Sequence, residues 1–315
     1  MNYIKKLKEV NLFNSSDYYN SGEPGFVSIW DFSKANFNHE ARVQAVSAVA
    51  SVCYGNDSLD PKFKLFDKLA RESIGLPSSS FEFIPVLLNG KKVSKIIDYY
   101  SNNYIPKLPK ILKFGYRIDE ENDNYILTNL RALWIDIKEI QRKDKTIPDI
   151  DNEIWYNNDD EEIKIISNNF IVFNKKITIR DARQFNRHRI SLQELSRRYT
   201  TGNKVPIEYR IKLFRDDLDK KVIKQTDACI MLYNELLENK VPAQYARDIL
   251  PVSIYTKIWS AWTPEYLDNF FKLRTASSSQ SEVRELAIEM QKLYDMIKIK
   301  DNKNKENKEN KENND

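Results

Sequence analysis

At 315 residues the chain is long enough to bury a sizeable core, and 41% hydrophobic with 12% aromatic residues excludes a disordered protein. Seven glycines are few, and without a GxGxxG or P-loop string a nucleotide fold built on glycine-rich phosphate loops is not indicated. The net charge of +4 is mild, no apolar run reaches the ~18 residues of a membrane span, and MNYIKKLKEV lacks the apolar stretch of a signal peptide. Cys53 and Cys229 make neither a disulfide framework nor a metal cluster, so the expectation is a cytoplasmic protein without metal or membrane.

Taken in chain order, residues 40–54 are small and apolar at helical spacing and predict a buried helix ending near Tyr54. Residues 78–88 predict a strand after a serine-rich turn. The stretch 89–168 holds acidic clusters, tyrosines and one apolar segment at 125–137, and reads as an insertion or small subdomain. FIVF at 170–173 predicts a strand, and 179–190 the helix after it. Val222, Ile223, Thr226, Cys229, Ile230, Tyr233, Leu236 and Leu237 form a stripe at three-and-four spacing. Pro242 opens the next helix and Pro251 stops it.

Thr263 is an expected N-cap with Pro264 at the first helical position, and Ser279 with Glu282 has capping-box spacing. Val283, Leu286, Met290, Leu293 and Ile297 share one face of the last helix. After Lys300 the KENKENKEN repeat has nothing apolar to bury and predicts a disordered tail, 301–315. The fold class is thus α/β (α+β), one domain over 1–300 with the insertion at about 89–168. A mixed sheet carrying the 81–88 and 170–173 strands is flanked by helices.

The segment from Gln184 to Tyr199, QFNRHRISLQELSRRY, carries the densest chemistry. On a helix Gln184 and His188 share a face, as do Arg183 and Arg187. A solvated basic helix is one reading, and an arginine-rich RNA-binding helix another. Neither accounts for Glu194 and Ser196 set among the arginines.

Arg187, His188, Arg189, Ser196, Arg198 and Tyr199 resemble the signature of the flavin-dependent thymidylate synthases (ThyX), and Gln184 matches a dUMP position of that family. Downstream, ARDILP at 246–251 resembles its A-R-x-x-L-P run. FFKLR ending at Arg274 resembles its F-x-x-L-R, and Gln280 with Glu282 the Q-x-E that follows. Near the N-terminus, Val52 to Tyr54, and Ser79 with Phe81 and Glu82, resemble two further segments.

The resemblance implies a ThyX-like fold and methylation of dUMP to dTMP, with FAD as cofactor. It further implies methylenetetrahydrofolate as carbon donor, NADPH as reductant, no cysteine nucleophile, and a homotetramer with shared sites that binds no nucleic acid. It places Arg274 against the uracil, favouring ionisation at N3. Arg247, Arg198 and Ser196 would hold the phosphate and ribose, with backbone amides near Leu195 to Arg197 assisting, and Gln184, Arg187 and Glu194 completing the pocket. Ser79, Arg187, His188, Arg189, Glu194 and Asn269 would lie along the FAD.

The chain departs from the family where it has one residue fewer between Arg189 and Ser196, Pro77 and Phe83 in place of histidines, Gln193 and Thr263 where asparagine is common, and a longer insertion. These departures fall on the flavin and the folate or nicotinamide side, and the shortened loop and Pro77 motivate the first of two alternatives. One is an FAD-dependent dUMP hydroxymethylase; the other is a non-catalytic nucleotide- or RNA-binding homologue. Within the insertion, TNLRAL at 128–133 resembles a family run otherwise expected near Thr263. Asn129 and Arg131 then either reach a flavin of a neighbouring subunit, or serve a helix start with Leu130, Leu133 and Trp134 in a core.

Overall fold

The computed structural model describes residues 2–56, 58–71, 77–102, 105–120, 123–143, 159–188 and 190–312, with the side chains of 119–123 and 299–312 outside the description. The chain begins with strands β1 (Lys5–Leu12), β2 (Tyr18–Asn20) and β3 (Gly25–Asp31), then helices α1 (His39–Ser51) and α2 (Phe63–Ala70). β4 (Pro85–Asn89) leads into α3 (Gly90–Asn102), α4 (Lys110–Lys113), β5 (Tyr116–Glu120), β6 (Asp123–Asn129) and α5 (Leu130–Lys143). There follow α6 (Asp160–Asn169), β7 (Ile171–Thr178), α7 (Ile179–Phe185), β8 (Ser191–Glu194) and β9 (Arg210–Lys212). The C-terminal part holds α8 (Asp216–Glu238), α9 (Ala243–Ala246), β10 (Tyr255–Trp262), α10 (Pro264–Arg274) and α11 (Ser281–Glu312). The fold class is α/β, as expected.

Five strands form the main sheet in the order β1-β3-β7-β10-β8, every pairing antiparallel. Side chains alternate across it with period two, and both faces are covered. Ile171, Phe173, Ile177, Ile258 and Trp262 meet α7, α10 and the Leu286–Met290–Leu293 face of α11. Val172, Trp259 and Ala261 meet α1 and the insertion on the other side. Burial of these side chains, at about 25 cal/mol per Å² of apolar surface, is what sets the strand register.

The predicted helix at 40–54 is α1 with a 3-10 turn at Val52–Tyr54, capped at Asn38, whose side chain accepts from Ala41 N at 2.8 Å. Thr263 and Pro264 start α10 as expected, although the Thr263 side chain makes no capping bond.

Several expectations are corrected. Ser79–Phe83 is a 3-10 turn, and β4 pairs with β6 of the insertion, so the 81–88 and 170–173 segments lie in different sheets. The strand predicted at 170–173 runs on to Thr178, because Asn174, Lys175 and Lys176 sit inside it, all buried. Lys175, fully buried, donates to Ser260 Oγ and lies 4.7 Å from the Phe185 ring, and burial holds its amine well below the ordinary lysine range. Lys176 pairs with Glu208 at 2.5 Å and donates to Glu23 O.

The capping box at Ser279 and Glu282 does not form. Ser279 Oγ donates to Leu273 O, and the Glu282 carboxylate turns to Arg180 at 2.7 Å. Along α8 only Thr226 and Tyr233 of the predicted stripe are buried, and Val222 is 46% exposed. The backbone of α11 continues to Glu312.

The insertion adds to the core. Val93, Ile96, Leu127, Leu133 and Ile137 pack in the same cluster as α1 and Trp259. Its keystone is Asp136, fully buried at the centre of α5, which accepts from Tyr100 Oη and from the backbone amides of Lys110 and Ile111. One carboxylate thereby ties α3, α4 and α5 together.

Candidate functional site

Two helix ends meet below the main sheet. Thr178 caps α7, its side chain accepting from Asp181 N. Ala182 and Phe185 are buried, which leaves Gln184 half-exposed on the outer side. The Phe185 ring sits 5.0 Å from Phe270 and 6.0 Å from Trp262, and this stacking sets α7 beside the C-terminal turn of α10. The helix stops at Phe185, where the sequence predicted it to continue to 190, and His188 N closes the turn onto Phe185 O. Gln184 and His188 therefore come together across Arg274 and not along one helical face.

Arg274 donates from Nε to His188 Nε2 at 3.2 Å, from Nη1 to Gln184 Oε1 at 3.4 Å and from Nη2 to Gln184 O at 3.4 Å. The His188 ring rests 5.1 Å from Phe270 and 6.2 Å from Trp262. Burial, then the Arg274 charge, lowers the His188 pKa. Burial, then the Arg187 charge, lowers that of Arg274. Two guanidinium groups thus approach each other, and among the described residues no carboxylate lies within ion-pair distance of either. A cleft of about 410 Å³ opens here, lined by Gln184, Arg274, Ser279, Gln280 and Val283. Such a place suits an anionic or electron-rich planar ligand.

A buried polar network supports the cleft. Asp181, fully buried, accepts from Arg210 Nη2 at 2.6 Å, Thr178 Oγ1 at 2.7 Å, Gln280 Nε2 at 3.2 Å and Arg180 Nε at 3.4 Å. Arg210 lies 3.6 Å over the Phe13 ring. No role is predicted from sequence for Asp181 or Arg210, which lie 29 residues apart, and Gln280 is signalled only by its pairing with Glu282 in the Q-x-E run.

Most of the other expected site residues do not line this cleft. Glu194 is on β8, and burial raises its pKa. Ser196 N donates to Cys53 O, and Arg198 is exposed with its guanidinium 5.4 Å from the Tyr199 ring. Arg197 is buried, and its Nη1 and Nη2 donate to the carbonyls of Val205 and Pro206. Arg247 is exposed in a 3-10 turn after α9, and Asn269 is exposed on α10. Ser79 Oγ donates to Gln193 Oε1. Gln193 in turn donates to Cys53 Sγ, whose pKa burial pushes up. Arg187 is exposed, and Arg189 lies outside the described residues.

A second cleft, also about 410 Å³, separates the insertion from the main sheet, with Thr128, Asn129 and Arg131 on one side and Trp262, Thr263 and Tyr266 on the other. Thr128 Oγ1 and Thr263 Oγ1 are buried there without a hydrogen-bond partner among the described residues. Asn129 Oδ1 accepts from Ala132 N at 3.0 Å, and Arg131 pairs with Glu82 at 2.7 Å and donates to Pro77 O at 2.9 Å. Among the described residues no group of acidic, histidine and cysteine side chains could hold a metal, and no helix is long and apolar enough to cross a membrane.

Comparison with known proteins agrees with the family resemblance. The chain is 33% identical over 132 residues to a flavin-dependent thymidylate synthase of Thermotoga neapolitana, covering 39% of this chain and 60% of that protein. It is 36% identical over 136 residues to that of Pseudothermotoga lettingae, covering 40% and 61%. With that of Geobacter sulfurreducens it shares 35% over 114 residues, covering 35% and 49%. The chain thus spans about three-fifths or less of the length of these relatives. Residues 137–297, from within α5 to near the end of the α11 core face, match the family model described as thymidylate synthase complementing protein. That match takes in half of the chain, and the chain belongs to the thymidylate synthase complementing protein (Thy1) family.

Proposed function

We propose that the chain is a flavin-dependent thymidylate synthase, methylating dUMP to dTMP with methylenetetrahydrofolate and NADPH. The observation that carries this reading is Arg274. Its guanidinium is aimed by His188 and Gln184 at a cleft beside Arg187 and has no carboxylate partner among the described residues. A permanently charged planar group there favours electron density on the N3 edge of a uracil, as attack from C5 requires. The raised pKa of the Cys53 thiol supports a route without a cysteine nucleophile.

The residues fit FAD in one respect of this structure: Arg187 is an exposed guanidinium with no carboxylate partner among the described residues, as a diphosphate requires. Arg187, His188, Glu194, Ser79 and Asn269 would hold it, with Arg189 added by the family signature. When bound, the flavin supplies the reducing electrons that turn a methylene carbon into a methyl group. NADPH is the source of those electrons, so the folate leaves as tetrahydrofolate. The phosphate and ribose of dUMP would rest on Ser196, Arg198, Arg247 and the backbone amide of Arg197.

Ser196, Arg198 and Arg247 do not line the Arg274 cleft of their own subunit, which supports sites shared between subunits of a homotetramer. The apolar residues that α8 exposes, Leu218, Val222, Met231 and Leu232, support the same assembly. Purified protein given dUMP, methylenetetrahydrofolate and NADPH should yield a nucleotide heavier by one methylene, and activity per subunit should fall on dilution to monomer. A hydroxymethylated product, or no product at all, would overturn the synthase reading.

A further inference from the structure

The orientation of two amides is fixed at the Arg274 cleft. Gln184 Oε1 accepts from Arg274 Nη1, so its NH2 is the free end, because the flipped amide would set N–H groups against a guanidinium. Gln280 presents the opposite case. Its Nε2 donates at 3.2 Å to Asp181 Oδ1 and at 3.2 Å to Glu282 Oε2, and a flip would press a carbonyl oxygen onto two carboxylates. Neither carboxylate can turn away. Asp181 is anchored by Arg210, Thr178 and Arg180, and Glu282 by Arg180 and Ser281. The free end of Gln280 is therefore its carbonyl, which accepts from no donor among the described residues. Both glutamines line the same cleft.

We propose that Gln280 is a specificity-determining residue: its side-chain carbonyl and the side-chain NH2 of Gln184 together read the adjacent N–H and C=O of an imide edge, admitting uracil and rejecting cytosine. The proposal rests on the reading of this cleft as the dUMP site and adds how the base is chosen. Uracil N3–H donates to Gln280 while a neighbouring carbonyl accepts from Gln184; the base is read as the neutral imide, before ionisation at N3. Cytosine reverses both groups, setting its N3 lone pair against the Gln280 carbonyl and its amine against the Gln184 NH2. Rejection by mismatched buried polar groups is stronger than rejection by shape alone. Asp181 is a positioning residue in this scheme, acting through Gln280.

The test is equilibrium binding of dUMP and dCMP to the FAD-loaded protein and to its Gln280→Met variant. The parent should favour dUMP by about a hundredfold or more. Gln280→Met should weaken dUMP by about five- to tenfold and leave dCMP within about twofold, so the ratio narrows. Equal weakening of both nucleotides would assign Gln280 a structural role and overturn the proposal, as would unchanged dUMP affinity. Should the variant not fold, N3-methyl dUMP serves on the parent protein: loss of binding supports the proposal, and affinity equal to dUMP overturns it. A parent protein that binds FAD but not dUMP would overturn the substrate reading itself, a result distinct from every variant outcome.

Discussion

His188 meets Arg274 as an acceptor: the 3.2 Å contact from Arg274 Nε to His188 Nε2 requires an imidazole with no proton on that nitrogen. Burial and the Arg274 charge both lower the His188 pKa, so the contact and the electrostatics agree. A histidine whose folded pKa lies below its unfolded value of about 6.5 contributes stability that is complete above that value. The contribution is lost as pH falls through the lowered folded value. Replacing His188 by Gln keeps a hydrogen-bond acceptor without a titration. Melting temperatures of the two proteins should run parallel above about pH 6.5 and diverge in favour of His188→Gln below it. Parallel curves down to pH 4.5 would mean that His188 does not titrate against Arg274.

Arg274→Ala should leave the fold intact and FAD bound, yet remove most turnover. A charge-assisted contact at the reacting base is worth about 2–4 kcal/mol, or some two to three orders of magnitude in rate. Arg274→Lys should recover little, because an ammonium cannot serve His188 and both oxygens of Gln184 at once. Steady-state rates near those of the parent in either variant would assign the polarising charge to another arginine.

The buried pair of Asp181 and Arg210 should behave as a linchpin. Both side chains are fully buried, and Arg210 Nε and Nη1 have no other partner among the described residues. Asp181→Ala leaves an uncompensated guanidinium and should cost about 3–5 kcal/mol in urea denaturation. A loss below about 1 kcal/mol would show that the aromatic faces of Phe13 and Tyr18 alone can carry the charge.

Lys175 works against the fold at neutral pH. A lysine whose pKa is lowered by burial contributes stability that is fully present only above its unfolded pKa of about 10.4 and is lost as pH falls through the folded value. At neutral pH it therefore weakens the fold, and Ser260 keeps a second donor in Trp262 Nε1. Lys175→Met should raise the melting temperature at pH 7, with the gain shrinking as pH approaches the ordinary lysine value. A lower melting temperature at pH 7 would show that the amine's bond to Ser260 outweighs its burial.

What was legible in the sequence follows from how local each signal is. The α1 helix, the α10 start and the α11 face are written in runs of a few residues, and the periodicity of Val283, Leu286, Met290 and Leu293 survives into the structure. Family and arginine cluster were legible for the same reason, the signature being contiguous. Hidden were features in which a polar residue sits where burial is decided from afar. Lys175 and Lys176 broke the apolar run of β7, though Ser260 and Glu208 supply their partners from elsewhere in the chain. Asp136 is an acid on a helix, and its burial depends on the two backbone amides that α4 supplies. The signature names candidate site residues one by one, and their grouping depends on the fold. Arg274 sits with Gln184 and His188, while Ser196, Arg198 and Arg247 lie outside that cleft.

Asn129 decides what the insertion does for the second cleft. Two roles were open to it, a helix cap or a contact to a neighbouring subunit's flavin. Its Oδ1 accepts from Ala132 N, a capping geometry worth about 1 kcal/mol, and Arg131 beside it is held by Glu82 and Pro77. Leu130 and Leu133 are buried and Trp134 packs against their core, as a helix start requires. Both polar side chains are thus engaged within their own subunit. Asn129→Ala should lower the stability of the flavin-free protein by about 1 kcal/mol, and FAD affinity should fall no further than that loss implies. The paired measurement is a melting curve without flavin and a flavin titration by fluorescence quenching. FAD affinity reduced several-fold with an unchanged melting curve would reverse the assignment, placing the Asn129 amide at the cofactor opposite the unpartnered hydroxyl of Thr263.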